Sequence, residues 1–178
     1  MLLLSLILAH LIADFYLQTD AMVKEKLNHL KKHILHHFVI TALVLIGSYF
    51  SNVNHTTIYL QIIIPLLVIV GSHYMIDLLK IKILDTLHFQ NEGSIKRLGF
   101  FVLDQLLHLF VILLSSHYFI GIDMSKILSV FQVGHPLKPL NAILFILIII
   151  ILNTSVSGHM IRILLGSLPT QLLTFEGK

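Results

Sequence analysis

Residues 58–80 read IYLQIIIPLLVIVGSHYMIDLLK, a run that is apolar over most of its length. A helix needs roughly 20 mostly apolar residues to cross the hydrocarbon of a membrane, and the segment meets that length. Its last third nevertheless carries His73, Asp77 and Lys80. The sequence therefore predicts a transmembrane helix with ionisable side chains near one end, which are costly in lipid and usually functional.

The composition extends this interpretation to the whole chain of 178 residues. It is 56% hydrophobic and 12% charged, with a mean hydropathy of +0.91, outside the range of ordinary soluble domains. No linker-like stretch divides it, so we predict a single all-α transmembrane domain over residues 1–178. Met1 to Ala9 lacks the charge and cleavage pattern of a signal peptide and is taken as part of a retained first span. The predicted membrane spans are Leu2 to Thr19, His33 to Phe50, Ile58 to Lys80, Leu98 to Ile120 and Leu140 to Leu165.

The charges of the loops predict the orientation of this five-helix bundle. Lys and Arg concentrate after the first and third spans, at Lys24, Lys26, Lys31, Lys32, Lys80, Lys82, Lys96 and Arg97. By the positive-inside rule the N-terminus is outside and the C-terminus cytoplasmic, in a multi-pass protein of the cytoplasmic (inner) membrane. Two segments of mixed polarity, Ile81 to Phe89 and Ser125 to Val133, are predicted to lie flat on the interface.

Other features narrow the function classes. The net charge of +3 comes from short loops and not from a basic face, so nucleic-acid binding is not expected. There is no cysteine, which excludes disulfides and thiolate metal sites, whereas twelve histidines supply imidazole ligands. Any metal would be held by nitrogen and oxygen.

Paired ionisable residues recur four positions apart in four of the spans. On a helix such residues point the same way, one turn apart, so each pair offers two ligands on one face. The pairs are His10 and Asp14, His33 and His37 (with His36 beside them), His73 and Asp77, and Asp104 and His108.

The depths of these residues predict that they meet. At about 1.5 Å per residue, most lie roughly 4 to 14 Å below the cytoplasmic end of their spans, with His108 deeper. Each intramembrane Asp costs about 2.5 to 3.5 kcal/mol on insertion scales, so three cost roughly 8 to 10 kcal/mol unless something compensates them. A divalent metal or a His-Asp hydrogen-bond network would do so.

If a divalent metal compensates the three Asp residues, the cluster is a metal site. We expect as metal ligands His10, Asp14, His73, Asp77, Asp104 and His108. Zinc is the first choice of ion, with manganese or magnesium as alternatives, and a zinc site with three protein ligands keeps a position for water. Such a water is a nucleophile near neutral pH, with His37, Asp77 or Asp104 as catalytic groups that move its proton.

Several further residues are assigned roles that are common at their positions in membrane helices. Lys80 is interpreted as a snorkelling anchor and charge partner, and Pro65 as the cause of a kink. Gln18 and Gln105 could orient a ligand, and His159 with Arg162 could meet a lipid phosphate.

The paired motifs also resemble a known family. His10-Leu-Ile-Ala-Asp14-Phe-Tyr-Leu-Gln18, His36-His37, His73-Tyr-Met-Ile-Asp77-Leu-Leu-Lys80 and Asp104-Gln105-Leu-Leu-His108 together are similar to the domain of unknown function 3307, over roughly Leu8 to Leu109. The resemblance implies a bacterial or phage origin and a multi-span fold, without an established reaction.

The function predicted from the sequence is a membrane-embedded, metal-dependent hydrolase or transferase acting on a lipid or other amphiphile at the cytoplasmic leaflet. Membrane lipids are the expected partners, and an oligomer is left open. The first alternative is a transporter of divalent cations or protons, which the lack of ionisable residues in the outer halves of the spans disfavours. The second alternative is a membrane anchor or assembly partner in which the His-Asp network is structural.

Overall fold

A computed structural model of the chain describes residues 1–19, 21–22, 25–50, 59–86, 94–123 and 138–165, and the bounds of five helices lie within these ranges. The helices are α1 (Leu2–Phe15), α2 (Lys26–Phe50), α3 (Tyr59–Thr86), α4 (Ser94–Tyr118) and α5 (Pro139–Leu165). No strand occurs in these ranges. Helices α2 to α5 are long and apolar enough to cross a membrane. The prediction of an all-helical membrane protein is confirmed.

Helix α1 is shorter than the other four. It has 14 residues and ends at Phe15, whereas the predicted first span continued to Thr19. Its length of about 21 Å is less than the roughly 30 Å of hydrocarbon in a bilayer. Four spanning helices and one shorter apolar helix thus correspond to the five predicted spans.

Two helices extend further into the loops than predicted. Helix α2 begins at Lys26 instead of His33, and α3 continues to Thr86 instead of ending at Lys80. The prediction that residues from Ile81 onward lie flat on the interface is wrong as far as Thr86, because neither Gly nor Pro interrupts the helix there. The rest of that segment and Ser125 to Val133 lie outside the described residues.

The helices pack in the order of the chain. Helix α1 contacts α2, α2 contacts α3, α3 contacts α4, and α4 returns to α1, while α5 lies along α1 and reaches α4 with its last turns. An apolar core fills one half of this bundle and consists of Leu3, Leu6, Leu45, Leu66, Ile69, Val70 and Ile112. The other half contains the ionisable residues, and we call it the charged end of the bundle, marked by Lys26, Lys80 and Arg162.

Two of the spanning helices contain π-helical turns. In α3 the turn is Tyr59–Ile63, directly before the α-helical segment in which the buried Pro65 is the second residue. Proline has no backbone N–H to donate, so the start of an α-helical segment is a place where it fits. In α5 the turn is Leu152–Val156, between two α-helical segments.

Candidate metal centre

Five imidazoles and three carboxylates from α1 to α4 meet in the charged end of the bundle. Each helix contributes two of them, four positions apart, as the sequence pattern predicts. This His/Asp cluster consists of His10, Asp14, His33, His37, His73, Asp77, Asp104 and His108, and their side chains are between 2% and 15% exposed. The predicted convergence of the four pairs is therefore present in the structure.

The carboxylate of Asp14 lies among the imidazoles of three helices. Its Oδ1 atom is 2.8 Å from Nε2 of His37, 3.3 Å from Nε2 of His33 and 3.8 Å from Nε2 of His73. Its Oδ2 atom is 3.5 Å from Nε2 of His10. One carboxylate thus links the histidines of α1, α2 and α3.

The carboxylate of Asp77 makes a second junction. Its Oδ2 atom is 3.4 Å from Nε2 of His33 and 3.4 Å from Nε2 of His73, and its Oδ1 atom is 3.8 Å from Nε2 of His108. The two Nε2 atoms of His33 and His73 are themselves 3.1 Å apart. Asp14 and Asp77 therefore face the same pair of imidazoles.

Asp104 lies between Lys80 and His108. Lys80 donates a hydrogen bond to its Oδ2 atom, and its Oδ1 atom lies 3.6 Å from Nε2 of His108. The predicted pairing of Lys80 with a carboxylate is present, but its role as a snorkelling anchor is wrong, because the side chain points inward and is 15% exposed. The Gln105 amide donates to Oδ2 of Asp14 at 3.1 Å and of Asp104 at 3.4 Å, the orienting position expected for it.

The spacing of these atoms suits a metal as well as a network of hydrogen bonds. Charge-assisted hydrogen bonds measure about 2.7 to 2.9 Å, yet most nitrogen–oxygen distances in the cluster lie between 3.3 and 3.8 Å. Two ligands at 2.0 to 2.1 Å from a tetrahedral ion are about 3.3 Å apart. In addition, Nε2 of His10, Nε2 of His108 and Oδ1 of Asp104 are buried without a hydrogen-bond partner among the described residues.

Three overlapping ligand groups can be recognised by distance, each with ligand atoms within 4.8 Å of one another. They are His10–Asp14–His37–His73, His33–His73–Asp77 and Asp77–Asp104–His108. The first and second groups share His73, and the second and third share Asp77. The donor set therefore suits one divalent ion or two neighbouring ions, which lie about 3.5 to 4 Å apart in two-metal enzymes. Nitrogen and carboxylate oxygen are ligands that zinc and manganese accept.

The stacking of the rings disfavours positive charge on two neighbouring imidazoles at once. The ring of His73 lies between those of His37 and His108, with centroid distances of 3.7 Å and 4.0 Å. Protonating adjacent rings would place like charges in contact inside the protein.

A cavity of about 550 Å³ lies next to the cluster at the charged end of the bundle. Asp14, His33, Asp77 and Asp104 line it on one side, and α5 lines it on the other from Ile150 to Arg162. His159 of α5 packs on Phe101 with a ring-centroid distance of 4.8 Å, which holds α5 against α4. The cluster therefore borders a space large enough for part of a small molecule.

Comparison with protein families now identifies the chain. Residues 2–137 match the family described as Protein of unknown function (DUF3307). The chain belongs to the DUF3307 family. No curated protein and no solved structure matches it.

The family match covers the whole His/Asp cluster but not α5. All eight cluster residues lie within residues 2–137, whereas α5 starts at Pro139. The resemblance seen in the sequence, over roughly Leu8 to Leu109, lies inside the matched range. The cavity is thus formed between the family region and a helix beyond it.

One residue of the cluster was missed by sequence reasoning. His33 was noted beside His37 but was not included among the expected ligands, although its Nε2 atom contacts both Asp14 and Asp77. The predicted second span began at His33, so this residue was assigned to a helix end. Its spacing of four positions from His37, which marks the pair in the sequence, was the signal for including it among the ligands.

Proposed function

We propose that this DUF3307 protein is a metal-dependent enzyme of the hydrolase or transferase class that acts on a lipid or other amphiphile at the face of the membrane. The observation that carries the proposal is a chain of three ligand groups beside the cavity, in which His73 joins the first group to the second and Asp77 joins the second to the third. Zinc is the first choice of ion, and manganese or magnesium are the alternatives.

The ligand groups assign different roles to the residues of the cluster. His10, Asp14, His37 and His73 would hold one ion, and Asp77, Asp104 and His108 are placed to hold a second or to complete the first site. A divalent cation at such a site acts as a Lewis acid toward a carbonyl or phosphoryl oxygen and makes water acidic enough to react near neutral pH.

Proton transfer falls to a carboxylate that can reach the substrate. Asp77 and Asp104 line the cavity, whereas the buried His37 hydrogen-bonds to Asp14 at 2.8 Å and does not line it. We therefore assign the general base to whichever of Asp104 and Asp77 does not bind the ion, and His37 remains in the ligand group of Asp14. The Lys80 ammonium beside Asp104 keeps that carboxylate charged and fixes its direction.

The core of the bundle supports an enzyme over a transporter. Beyond the cluster, the buried polar side chains of the described ranges are limited to the hydroxyls of Thr41, Ser115 and Ser116. The buried core residues of the apolar half of the bundle are all aliphatic. Conduction of an ion requires successive polar sites across the membrane, and a solid apolar core does not supply them.

The adjoining cavity supports an enzyme over a purely structural network. Polar residues that only hold helices together have no need of a space beside them, because contact between the helices is their function. Here four residues of the cluster line a volume of about 550 Å³. That arrangement is expected of a site that receives a ligand.

Metal analysis of the purified protein tests the proposal. We expect wild-type protein to retain a divalent metal and Asp77→Asn to lose most of it. Asp85→Asn is the matched control, because Asp85 lies two turns further along α3 and is exposed. Equal metal in the three proteins, or none in any of them, would overturn the metal-site proposal.

A second measurement addresses the reaction. Wild-type protein and Asp85→Asn, incubated in mixed micelles with the total lipid extract of the cells that make the protein, should release a product visible by mass spectrometry. Asp104→Asn should release none while remaining folded. Identical lipid profiles with and without wild-type protein would contradict an activity on membrane lipids.

A further inference from the structure

Basic side chains border the cavity at the charged end of the bundle. Lys26 from α2 and Arg162 from α5 line it, together with the half-buried imidazole of His159. In the described part of the chain, neither Lys26 nor Arg162 is ion-paired with a carboxylate, whereas Lys80 is held by Asp104. Two cationic groups from different helices are therefore available to a ligand in the same cavity.

The π-helical turn of α5 helps to place these groups. Ile150, Thr154, Gly158 and Arg162 all line the cavity at intervals of four residues. In a regular α-helix four residues advance by about 400°, so such a series would drift by about 40° at each step. The wider turn at Leu152–Val156 reduces that drift and keeps Arg162 on the same side as Ile150. The Thr154 hydroxyl supports the turn by donating to the Ile150 carbonyl at 2.7 Å.

The cavity also has an apolar part. Phe15, Phe101 and Ile150 line it from α1, α4 and α5. The carboxylates of the His/Asp cluster form a separate part of its wall, where Asp104 is neutralised by Lys80. A ligand that fills the cavity thus meets apolar side chains, two free cations and the proposed metal ligands, the combination that suits an anionic amphiphile.

We propose that Lys26 and Arg162 bind the phosphate of an anionic phospholipid, so that the substrate class of the site is a phosphate-bearing lipid. This inference rests on the enzyme function proposed above. The guanidinium of Arg162 matches the geometry of a phosphate with two parallel donors, and the ammonium of Lys26 adds a point charge. A phosphate bound by Lys26 and Arg162 would place its ester bonds next to Asp77 and Asp104.

Direct binding measurements test this subsite without relying on turnover. Titration of the protein, as purified in detergent, with dioctanoyl phosphatidate should give saturable binding, and dioctanoyl phosphatidylcholine should bind more weakly. Arg162→Gln and Lys26→Gln should each weaken the phosphatidate affinity by about tenfold or more, as expected for the loss of a hydrogen bond to a charged group. The matched controls are Arg97→Gln and Lys31→Gln. Each removes one positive charge at a residue that does not line the cavity, and Lys31 is exposed.

The outcomes separate the subsite from general electrostatic attraction and from the proposed metal site. Equal affinities in the Arg162→Gln and Arg97→Gln proteins would overturn the subsite. Inorganic phosphate that binds as tightly as phosphatidate would overturn its assignment to a lipid. Metal content is measured in the same samples: metal-free wild-type protein would contradict the proposed enzyme, while the comparison of Arg162→Gln with Arg97→Gln would still test the binding of the phosphate.

Discussion

The Nε2 atoms of His33 and His73 lie 3.1 Å apart, between the carboxylates of Asp14 and Asp77. If both nitrogens carried protons, two donors would face each other inside the bundle, so at least one nitrogen presents a lone pair. One nitrogen can donate a hydrogen bond to the lone pair of the other, or the lone pairs can face a cation held beside the two carboxylates. This arrangement makes His33 a test of the metal centre, although His33 was not among the ligands expected from the sequence.

His33→Asn should reduce the metal content of the purified protein severalfold, because His33 belongs to the ligand group that joins the other two. His36→Asn is the matched control, since His36 lies three residues later on α2 and outside every ligand group. Elemental analysis of both variants beside wild type provides the measurement. If His33→Asn keeps the metal of wild type, His33 belongs to the hydrogen-bond network only.

Lys80→Met should destabilise the protein. The change leaves the carboxylate of Asp104, which is 5% exposed, without its ammonium partner. An unsatisfied buried group costs about 1 to 3 kcal/mol, and more when it is charged. For a chain of this size, that loss of unfolding free energy corresponds to a fall of roughly 3 to 10 °C in melting temperature. Lys82→Met, at an exposed position on the same helix, should melt within about 1 °C of wild type, as is usual for surface substitutions.

A similar fall in Lys80→Met and Lys82→Met would contradict the inward role of Lys80. It would indicate that both lysines act as anchors at the membrane surface, as the sequence suggested for Lys80. Thermal unfolding in one detergent, followed by circular dichroism, is sufficient for this comparison.

The main architecture could be predicted from the sequence because it depends on the lengths of apolar segments. Four of the predicted spans correspond to the long helices α2 to α5, and the first predicted span, Leu2 to Thr19, corresponds to α1. The helix ends were less predictable. Residues 26–32 are rich in Lys, His and Asn, and polarity alone cannot distinguish a polar helical turn from a loop. For the same reason α3 was predicted to end at Lys80, six residues before Thr86.

The composition of the His/Asp cluster was predictable for a different reason. Residues four positions apart share a helix face, and the positive-inside rule gives each pair a depth, so convergence follows from the chain itself. The direction of the Lys80 side chain is not encoded by spacing, because a lysine near a helix end can point inward or outward. Neither could the sequence show that α5 closes a cavity beside Asp104, since that depends on how α5 packs on α1 and α4.

The orientation of the bundle is a prediction that labelling can test. The chain has no cysteine, so single cysteines introduced at chosen positions report on their side of the membrane. Asn28→Cys and Gln90→Cys should resist an impermeant thiol reagent in intact cells, whereas Asn54→Cys should react. The reverse pattern would place the charged end, and with it the cavity, on the outer face.

The last prediction separates catalysis from structural support. Groups arranged for a substrate or a metal are not arranged for maximal stability, so conservative replacements need not unfold the protein. His73→Asn, Asp104→Asn and His108→Gln should therefore remain folded and monodisperse in detergent but release no lipid product. His117→Gln, at an exposed position near the far end of α4, is the control and should keep full activity.

The melting temperatures must be compared in metal-free samples, because a bound metal stabilises the fold that binds it. If the cluster only holds the helices together, each replacement leaves a buried partner unsatisfied, at a cost of about 1 to 3 kcal/mol. The metal-free variants would then melt several degrees below metal-free wild type, and the remaining activity would follow the amount of folded protein. An active site predicts instead that activity is lost while the metal-free melting temperatures of the variants and wild type stay close. The first result would replace the proposed enzyme with a structural His-Asp network.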